Sequence, residues 1–216
     1  MRKFILKMSL SADGFVSGPR GEIDWIFRGT DESVTAWIVE TLWQAGVHIM
    51  GSRTFHDMAS YWPTSDEPFA APMNEIPKVV FTRKGHVEQT HEELTTNALK
   101  DARINSEGLF NTSDTLSLHA ATWTKATVAT GNLVDEISHL KLQEGNFILA
   151  HGGASFAQSL IKLGLVDEYR LLIHPVILGK GLPLFSTVTT PFDMTLKSST
   201  VFKTGIIANI YIPTNL

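Results

Sequence analysis

The chain has 216 residues, 43% of them hydrophobic and 19% charged, with a formal charge of −4. That length supports one substantial core, and so mild a charge gives no global pull toward nucleic acid or anionic membranes. Cysteine is absent, which excludes disulfides, thiolate metal sites and a cysteine nucleophile.

In chain order, Lys3–Leu10 carries β-formers in loose alternation and reads as a core strand. Lys7 interrupts its apolar part, no small-residue cleavage site follows, and no stretch reaches the roughly 20 apolar residues that cross a bilayer. A first strand and a cytoplasmic location are therefore expected, not a signal peptide. A loop with three glycines and a proline follows, Ser11–Gly21. After Asp24-Trp25 comes Asp31, ahead of a helix whose Val34, Trp37, Ile38, Thr41, Leu42 and Ala45 make one apolar face. Asp31 reads first as the cap of that helix. Val47–Met50 is a second strand, passing through Gly51 into a helix that opens on Ser52-Arg53-Thr54. Such a junction suits an anion, because the N–H groups of a first helical turn face it and Ser, Arg and Thr can each donate. The alternative for Arg53 is a solvated surface residue. Tyr61–Pro77, with four prolines, reads as an irregular surface connection. Lys78–Phe81 is a third strand that ends in the turn Thr82-Arg83-Lys84-Gly85.

Residues 91–104 have helix-compatible composition, and the stretch from there to 122 is polar and loop-like. A strand from Trp123 to Ala129, a turn at Gly131-Asn132 and a helix carrying Leu133, Ile137, Leu140 and Leu142 come next. Phe147–Ala150 is a short apolar run suited to a buried strand, and it stops at Gly152-Gly153. The segment ASFAQSLIKLG then shows helical spacing, with Gly164 as its stop. This second strand–glycine–helix junction is either a tight turn or a place where backbone approaches a ligand. The strand Tyr169–His174, a glycine-rich turn over Pro175–Gly181, and a closing hairpin of Met194–Phe202 and Ile206–Ile212 complete the chain. Strands alternating with helices imply one α/β domain with a mixed sheet, its ligand at the carboxyl ends of the strands.

Several chemistries lack their residues. The glycines fit neither G-x-G-x-x-G nor the phosphate-binding G-x-x-x-x-G-K-[ST] loop, and there is no G-x-S-x-G elbow. The eight histidines are scattered without an H-E-x-x-H pair, so no metal is expected. His151, beside the glycine pair, and His174, before Pro175, read as structural.

Residues 152–185, GGASFAQSLIKLGLVDEYRLLIHPVILGKGLPLF, resemble the reductase domain of riboflavin biosynthesis, which shares its fold with dihydrofolate reductase. Ser11-Ala12-Asp13-Gly14-Phe15-Val16-Ser17-Gly18 is similar to that family's S-L-D-G-x-x-x-G loop in all but the second position. Gly51-Ser52-Arg53-Thr54 is similar to its G-R-x-T motif, with the polar residues in a shifted register. The resemblance implies a dihydrofolate reductase-like three-layer fold: a mixed, mostly parallel central sheet flanked by helices, with a C-terminal antiparallel hairpin. It implies one domain over 1–216, carrying an insertion at 86–122 that decorates the surface, covers a cleft or serves an interface.

It also implies NADPH as cofactor. Gly152, Gly153, Ala154, Ser155 and Phe156, with Gly51, Ser52, Arg53 and Thr54, would meet its pyrophosphate. The first loop would fold over the nicotinamide end, with Leu10, Val16 and Gly18 as contacts, and Thr82, Arg83 and Lys84 would grip the 2′-phosphate. In the folate enzymes an acidic residue near the first helix contacts substrate, which makes Asp24 and Asp31 the catalytic candidates. A buried carboxylate there would have a raised pKa and assist protonation. The expected activity is NADPH-dependent reduction of a small heterocycle, resembling 5-amino-6-(5-phosphoribosylamino)uracil reductase, by a homodimer that binds neither nucleic acid nor membrane. The alternatives are a dihydrofolate or pteridine reductase, a nucleotide-binding fold without turnover, and an oligomeric scaffold. The zinc deaminase often fused to the riboflavin reductase needs cysteines that this chain lacks.

Overall fold

The computed structural model describes residues 1–82 and 122–214. Ten strands are placed there: β1 (Phe4–Ser11), β2 (Phe15–Ser17), β3 (Val47–Gly51), β4 (Lys78–Phe81), β5 (Thr127–Ala129), β6 (Ile148–Ala150), β7 (Glu168–His174), β8 (Leu182–Pro183), β9 (Met194–Val201) and β10 (Ile207–Pro213). Eight of them form one sheet in the order β5-β4-β3-β6-β1-β7-β10-β9, while β2 and β8 pair separately. The six strands from β5 to β7 in that order run parallel, and β10 and β9 add antiparallel pairs.

Among the described residues, five helices flank the sheet: α1 (Glu32–Trp43), α2 (Ser52–Tyr61), α3 (Ala70–Glu75), α4 (Leu133–Leu142) and α5 (Ala154–Lys162). Alternation along β1 divides the core between the two faces. Phe4, Leu6, Met8 and Leu10 pack with Ile137 of α4 and with Ala157, Leu160 and Ile161 of α5. Ile5 packs oppositely, with Leu42 of α1, Phe55 and Ala59 of α2 and Met73 of α3. This is the expected three-layer, mostly parallel arrangement with its closing hairpin. Asp31 starts α1 by accepting from Ser33 N and Val34 N at 3.0 Å each, and Asn132 caps α4 through Val134 N at 2.9 Å.

Two local expectations are corrected. Tyr61–Pro77 is not an irregular surface connection: it holds a 3-10 turn at Trp62–Thr64 and then α3, with Pro63, Ala70, Pro72, Met73 and Asn74 buried. Pro72 sits in the first turn of α3, where a missing N–H costs no helical bond. Trp123 does not begin a strand. It lies in a helical turn, fully buried, and donates its indole N–H to Asn74 Oδ1 at 2.7 Å. The strand starts only at Thr127, because placing that indole against buried Asn74 requires the chain to turn first. All but the last residue of the expected 86–122 insertion lies outside the described residues.

Candidate active site

The connectivity decides where a ligand can sit. From β1 the chain crosses to β3 and moves outward through β4 and β5. It then returns, so that β6 lies between β3 and β1. The carboxyl ends of β3 and β6 therefore adjoin, each running through glycine into a helix. That is the crevice in which ligands of open α/β sheets bind.

Gly51 precedes α2 and Gly153 precedes α5. Neither helix has a side-chain cap or an acidic residue in its first turn. Two adjacent N-termini thus present backbone donors and partial positive charge to one spot. Thr54 ties the junctions together by donating its hydroxyl proton to the Gly152 carbonyl at 3.0 Å. That commitment corrects the expectation that Thr54 donates to a phosphate, and leaves its oxygen free only to accept. Gly153 has φ +95, and a Cβ there would lie 2.6 Å from Thr54 Oγ1. Gly153 and Ser155 are exposed, as is Arg53, whereas Ser52 and Ala154 are half-buried. Phe156 closes one side, its ring 5.3 Å from that of Phe81 at the end of β4.

The first loop is clamped to the glycine-rich turn after β7. Asp13 accepts from Gly179 N at 2.7 Å, Leu178 N at 3.2 Å and Ser11 Oγ at 2.7 Å. The Ser11 hydroxyl comes first among the contacts that hold the Asp13 carboxyl below its ordinary pKa, so it is a fixed anion at neutral pH. Pairing of β2 with β8 extends the clamp, and Gly181 lies so close to the Ser17 carbonyl that any side chain would collide with it. Leu10 and Val16, expected at the cofactor, are buried in the α5-side core, and Gly18 is pinned by its N–H to the Glu22 carbonyl at 2.9 Å.

The two acidic candidates are not where a buried proton donor would stand. Asp24, on a 3-10 turn at Asp24–Phe27, is exposed and ion-paired with Arg28. Asp31 is the α1 cap, and hydrogen bonds from the Ser33 hydroxyl and then Val34 N lower its pKa. This is opposite to the expected rise, because a carboxylate that accepts three donors favours its charged form. Between these segments and β7, Trp25, Arg28, Gly29, His174, Pro175 and Val176 line a small open cleft. The Trp25 and His174 rings meet edge to face at 5.3 Å.

Beneath α1 lies a group that the sequence reading missed. Lys7 on β1 carries no hydrogen bond or ion pair among the described residues. It is half-buried, and desolvation lowers its pKa to about 8. His48, His151 and His174 surround it. All three are buried, with pKa values lowered chiefly by desolvation, His48 to about 3 and His174 to about 4. The signal available was a lysine alternating out of register with Leu6 and Met8 in an otherwise apolar strand.

Of the expected cofactor residues, Gly51–Thr54 and Gly152–Phe156 are brought together at one crevice. Thr82 stands at the end of β4, its N–H bonded to the Ala129 carbonyl at 3.1 Å. Arg83 and Lys84 lie outside the described residues. No cluster of metal-ligating side chains occurs among the described residues, and none of their helices is long and apolar enough to cross a membrane.

A parallel sheet with this returning strand order and an antiparallel end pair is a dihydrofolate reductase-like fold. A dihydrofolate reductase from Enterococcus faecalis, solved with NADP(H), superposes with a TM-score of 0.56 at 10% identity, over 99% of this chain and 97% of that one. The model of the RibD C-terminal domain matches residues 2–208, and the chain belongs to that family. A deaminase/5-amino-6-(5-phosphoribosylamino)uracil reductase from Thermotoga maritima superposes at a TM-score of 0.61 and 18% identity, over 99% of this chain and 57% of that one. The uncharacterized protein YyaP of Bacillus subtilis is 30% identical over 211 residues, covering 97% of this chain and 94% of its own. The family match and its reductase neighbours support an oxidoreductase of this type.

Proposed function

We propose that the chain is a cytoplasmic, NADPH-dependent reductase of a small heterocyclic substrate, of the kind that reduces 5-amino-6-(5-phosphoribosylamino)uracil. The observation that carries this reading is the pair of uncapped N-termini of α2 and α5, held at one crevice by the Thr54–Gly152 bond. When bound, NADPH supplies the hydride. The chain's own part is to hold the diphosphate on backbone donors at Ser52–Thr54 and Ala154–Phe156. The Asp13 clamp would fix the first loop over the nicotinamide end, and the cleft between Trp25 and His174 would orient the substrate. The dihydrofolate alternative ranks lower, because Asp24 and Asp31 are not buried and the buried carboxylate of Glu168 is already paired with Arg170, Lys3 and Lys197. NADPH oxidation is to be followed separately with the phosphoribosylamino-pyrimidine and with dihydrofolate. Turnover of the pyrimidine alone is expected, turnover of dihydrofolate alone reverses the order, and cofactor binding without turnover of either would point to a binding module.

Selectivity for NADPH over NADH is assigned to Thr82, Arg83 and Lys84, with Arg53 in support. Losing a charge-assisted bond costs roughly 1.5–3 kcal/mol, so Arg83→Ala with Lys84→Ala should weaken NADPH binding about 10- to 100-fold and leave NADH unchanged. A fluorescence titration in which the double variant keeps full preference for NADPH would remove these residues from the site.

The homodimer is proposed on β9. This edge strand is exposed along nearly its whole length, Leu196 at 51% and Val201 at 71%, and an open edge of that kind pairs readily with another chain. Light scattering should give twice the chain mass at micromolar concentration, and Leu196→Lys should halve it. A monomer mass for the parent chain disposes of the proposal.

A further inference from the structure

The cleft between the Asp24–Phe27 turn and the end of β7 holds about 250 Å³, less than the roughly 300 Å³ at which sites for drug-sized ligands begin. It has room for one ring. His174 in its wall is 3% exposed, and both ring nitrogens are buried with no hydrogen-bond partner among the described residues. Thr204, on the turn between β9 and β10, has a hydroxyl oxygen in the same condition. That turn packs on both walls of the cleft. A Cβ on Gly29 would lie 3.8 Å from the Thr204 Cβ, and one on Gly205 would lie 3.4 Å from the Pro175 ring. Buried polar groups of native proteins are almost always satisfied, so three unpaired atoms beside one cleft mark a place that a ligand completes.

Both polar groups are held stiffly. The Phe202 N–H bonds the Ile206 carbonyl at 2.9 Å and the Gly205 N–H bonds the Phe202 carbonyl at 3.0 Å, with Phe202 and Ile206 buried against Val34 and Leu172. Trp25 donates its indole N–H to the Glu22 carbonyl at 3.3 Å, which fixes the ring that meets His174 edge to face. The charge balance then narrows the ligand. Arg28 is the one charged residue lining the cleft, and Asp24 already pairs it. Burial, and after it the charge of Lys7, lowers the His174 pKa to about 4, so the imidazole is neutral at pH 7. The cleft therefore offers one imidazole N–H, one imidazole lone pair and a hydroxyl that can donate or accept. An ion finds no free counter-charge in this lining, and a hydrocarbon leaves the polar atoms unpaired. An uncharged N–H beside a C=O satisfies both residues.

We propose that His174 and Thr204 form a specificity subsite that takes the uncharged lactam edge of a single-ring substrate, one residue at its C=O and the other at its N–H. That the occupant is the substrate rests on the reductase reading; that it is an uncharged amide rests on the side chains of the cleft. A site built to hydrogen-bond a ligand N–H rejects the analogue that lacks it, because its own polar groups are then left unpaired. The same logic gives the subsite a signature in stability. An imidazole kept buried without a partner costs the free protein stability, so replacing it by an apolar ring should stabilise the fold while erasing the selectivity.

Two probes test this on the whole protein, without NADPH and with NADPH saturating: 2-pyridone, whose ring carries an N–H beside a C=O, and N-methyl-2-pyridone, which lacks the N–H. NMR titration at pH 7 should show 2-pyridone binding about tenfold more tightly or better. His174→Phe keeps a ring edge against Trp25 and removes both nitrogens, and Thr204→Val is isosteric. Each should bring the two probes within about twofold of one another and leave NADPH affinity unchanged. His174→Phe should also melt about 2–4 °C above the parent. Should the larger ring prevent folding, Thr204→Val carries the test alone. Equal binding of the probes to the parent, or a preference that survives Thr204→Val, overturns the proposal. So does a folded His174→Phe that melts lower and keeps the preference, since the imidazole is then structural. Loss of 2-pyridone binding under saturating NADPH gives the cleft to the nicotinamide carboxamide and overturns its assignment to substrate. If NADPH binds but no lactam is preferred, the inference alone fails; if the lactam is preferred and NADPH does not bind, the reductase reading fails and the subsite stands.

Discussion

Gly153→Val should weaken NADPH binding at least 100-fold while leaving a folded protein. The residue has φ +95 and ψ 100, backbone that a β-branched side chain adopts only under strain of order 1–3 kcal/mol. Space is the second obstacle, because a Cβ would stand 2.6 Å from Thr54 Oγ1. Thr54 would have to swing away, breaking its bond to the Gly152 carbonyl, worth about 1 kcal/mol net. The peptides that open α5 would then no longer face those that open α2. A loss of about 2.7 kcal/mol corresponds to the 100-fold expected. Cofactor fluorescence titration reads the affinity, and circular dichroism with thermal unfolding confirms that the sheet survives. Unchanged NADPH affinity in a folded Gly153→Val protein would move the phosphate site elsewhere.

That junction was legible in the sequence, and the reason is local. A glycine pair between an apolar run and a helical repeat reports its own backbone requirement. The strands β1, β3 and β4, the helices α1 and α2 and the final hairpin were legible through hydrophobic period in the same way. The order of strands was not, since nothing in Ile148–Ala150 says that β6 inserts between β3 and β1. The sequence shows Asp13 only as part of a loop motif, because its partners Leu178 and Gly179 are far away in the chain. Burial explains the remaining differences. Asp31 reads first as a cap, and it and Asp24 become catalytic candidates only through the resemblance to the folate enzymes; in the fold one is the α1 cap and the other is exposed beside Arg28. His151 and His174 looked structural because isolated histidines usually are. Only the fold shows that both come near Lys7, His174 from the end of β7 and His151 from just after β6, with both ring nitrogens of His174 and Nε2 of His151 unpaired.

Glu168→Ala should lower the melting temperature by roughly 6–12 °C. Glu168 is 1% exposed and is the shared anion for Arg170, Lys3 and Lys197. Breaking a buried pair by removing one partner costs about 3–5 kcal/mol. The low end applies, because the two lysines are 43% and 52% exposed and return to water, leaving Arg170 as the stranded charge. At this chain length about 3 kcal/mol converts to the stated shift. Arg170 lies opposite Lys7 across the β1–β7 register, so the loss also leaves an unneutralised guanidinium beside that ammonium. The pH dependence has a definite sign. Burial acts to raise the Glu168 pKa from its ordinary 4.5, but hydrogen bonds and charge from Arg170 and Lys3 outweigh it, and the net shift is downward. A folded-state pKa below the unfolded one means that the unfolded chain takes the proton first as the pH falls. The stabilisation is therefore complete above about pH 5 and is lost as the pH drops through the folded value. The melting-temperature gap between the parent and Glu168→Gln should be full at pH 6 and should shrink steadily below pH 4.5. A gap under about 2 °C at pH 6, or one that does not change on acidification, would mean that Glu168 does not hold this end of the sheet together.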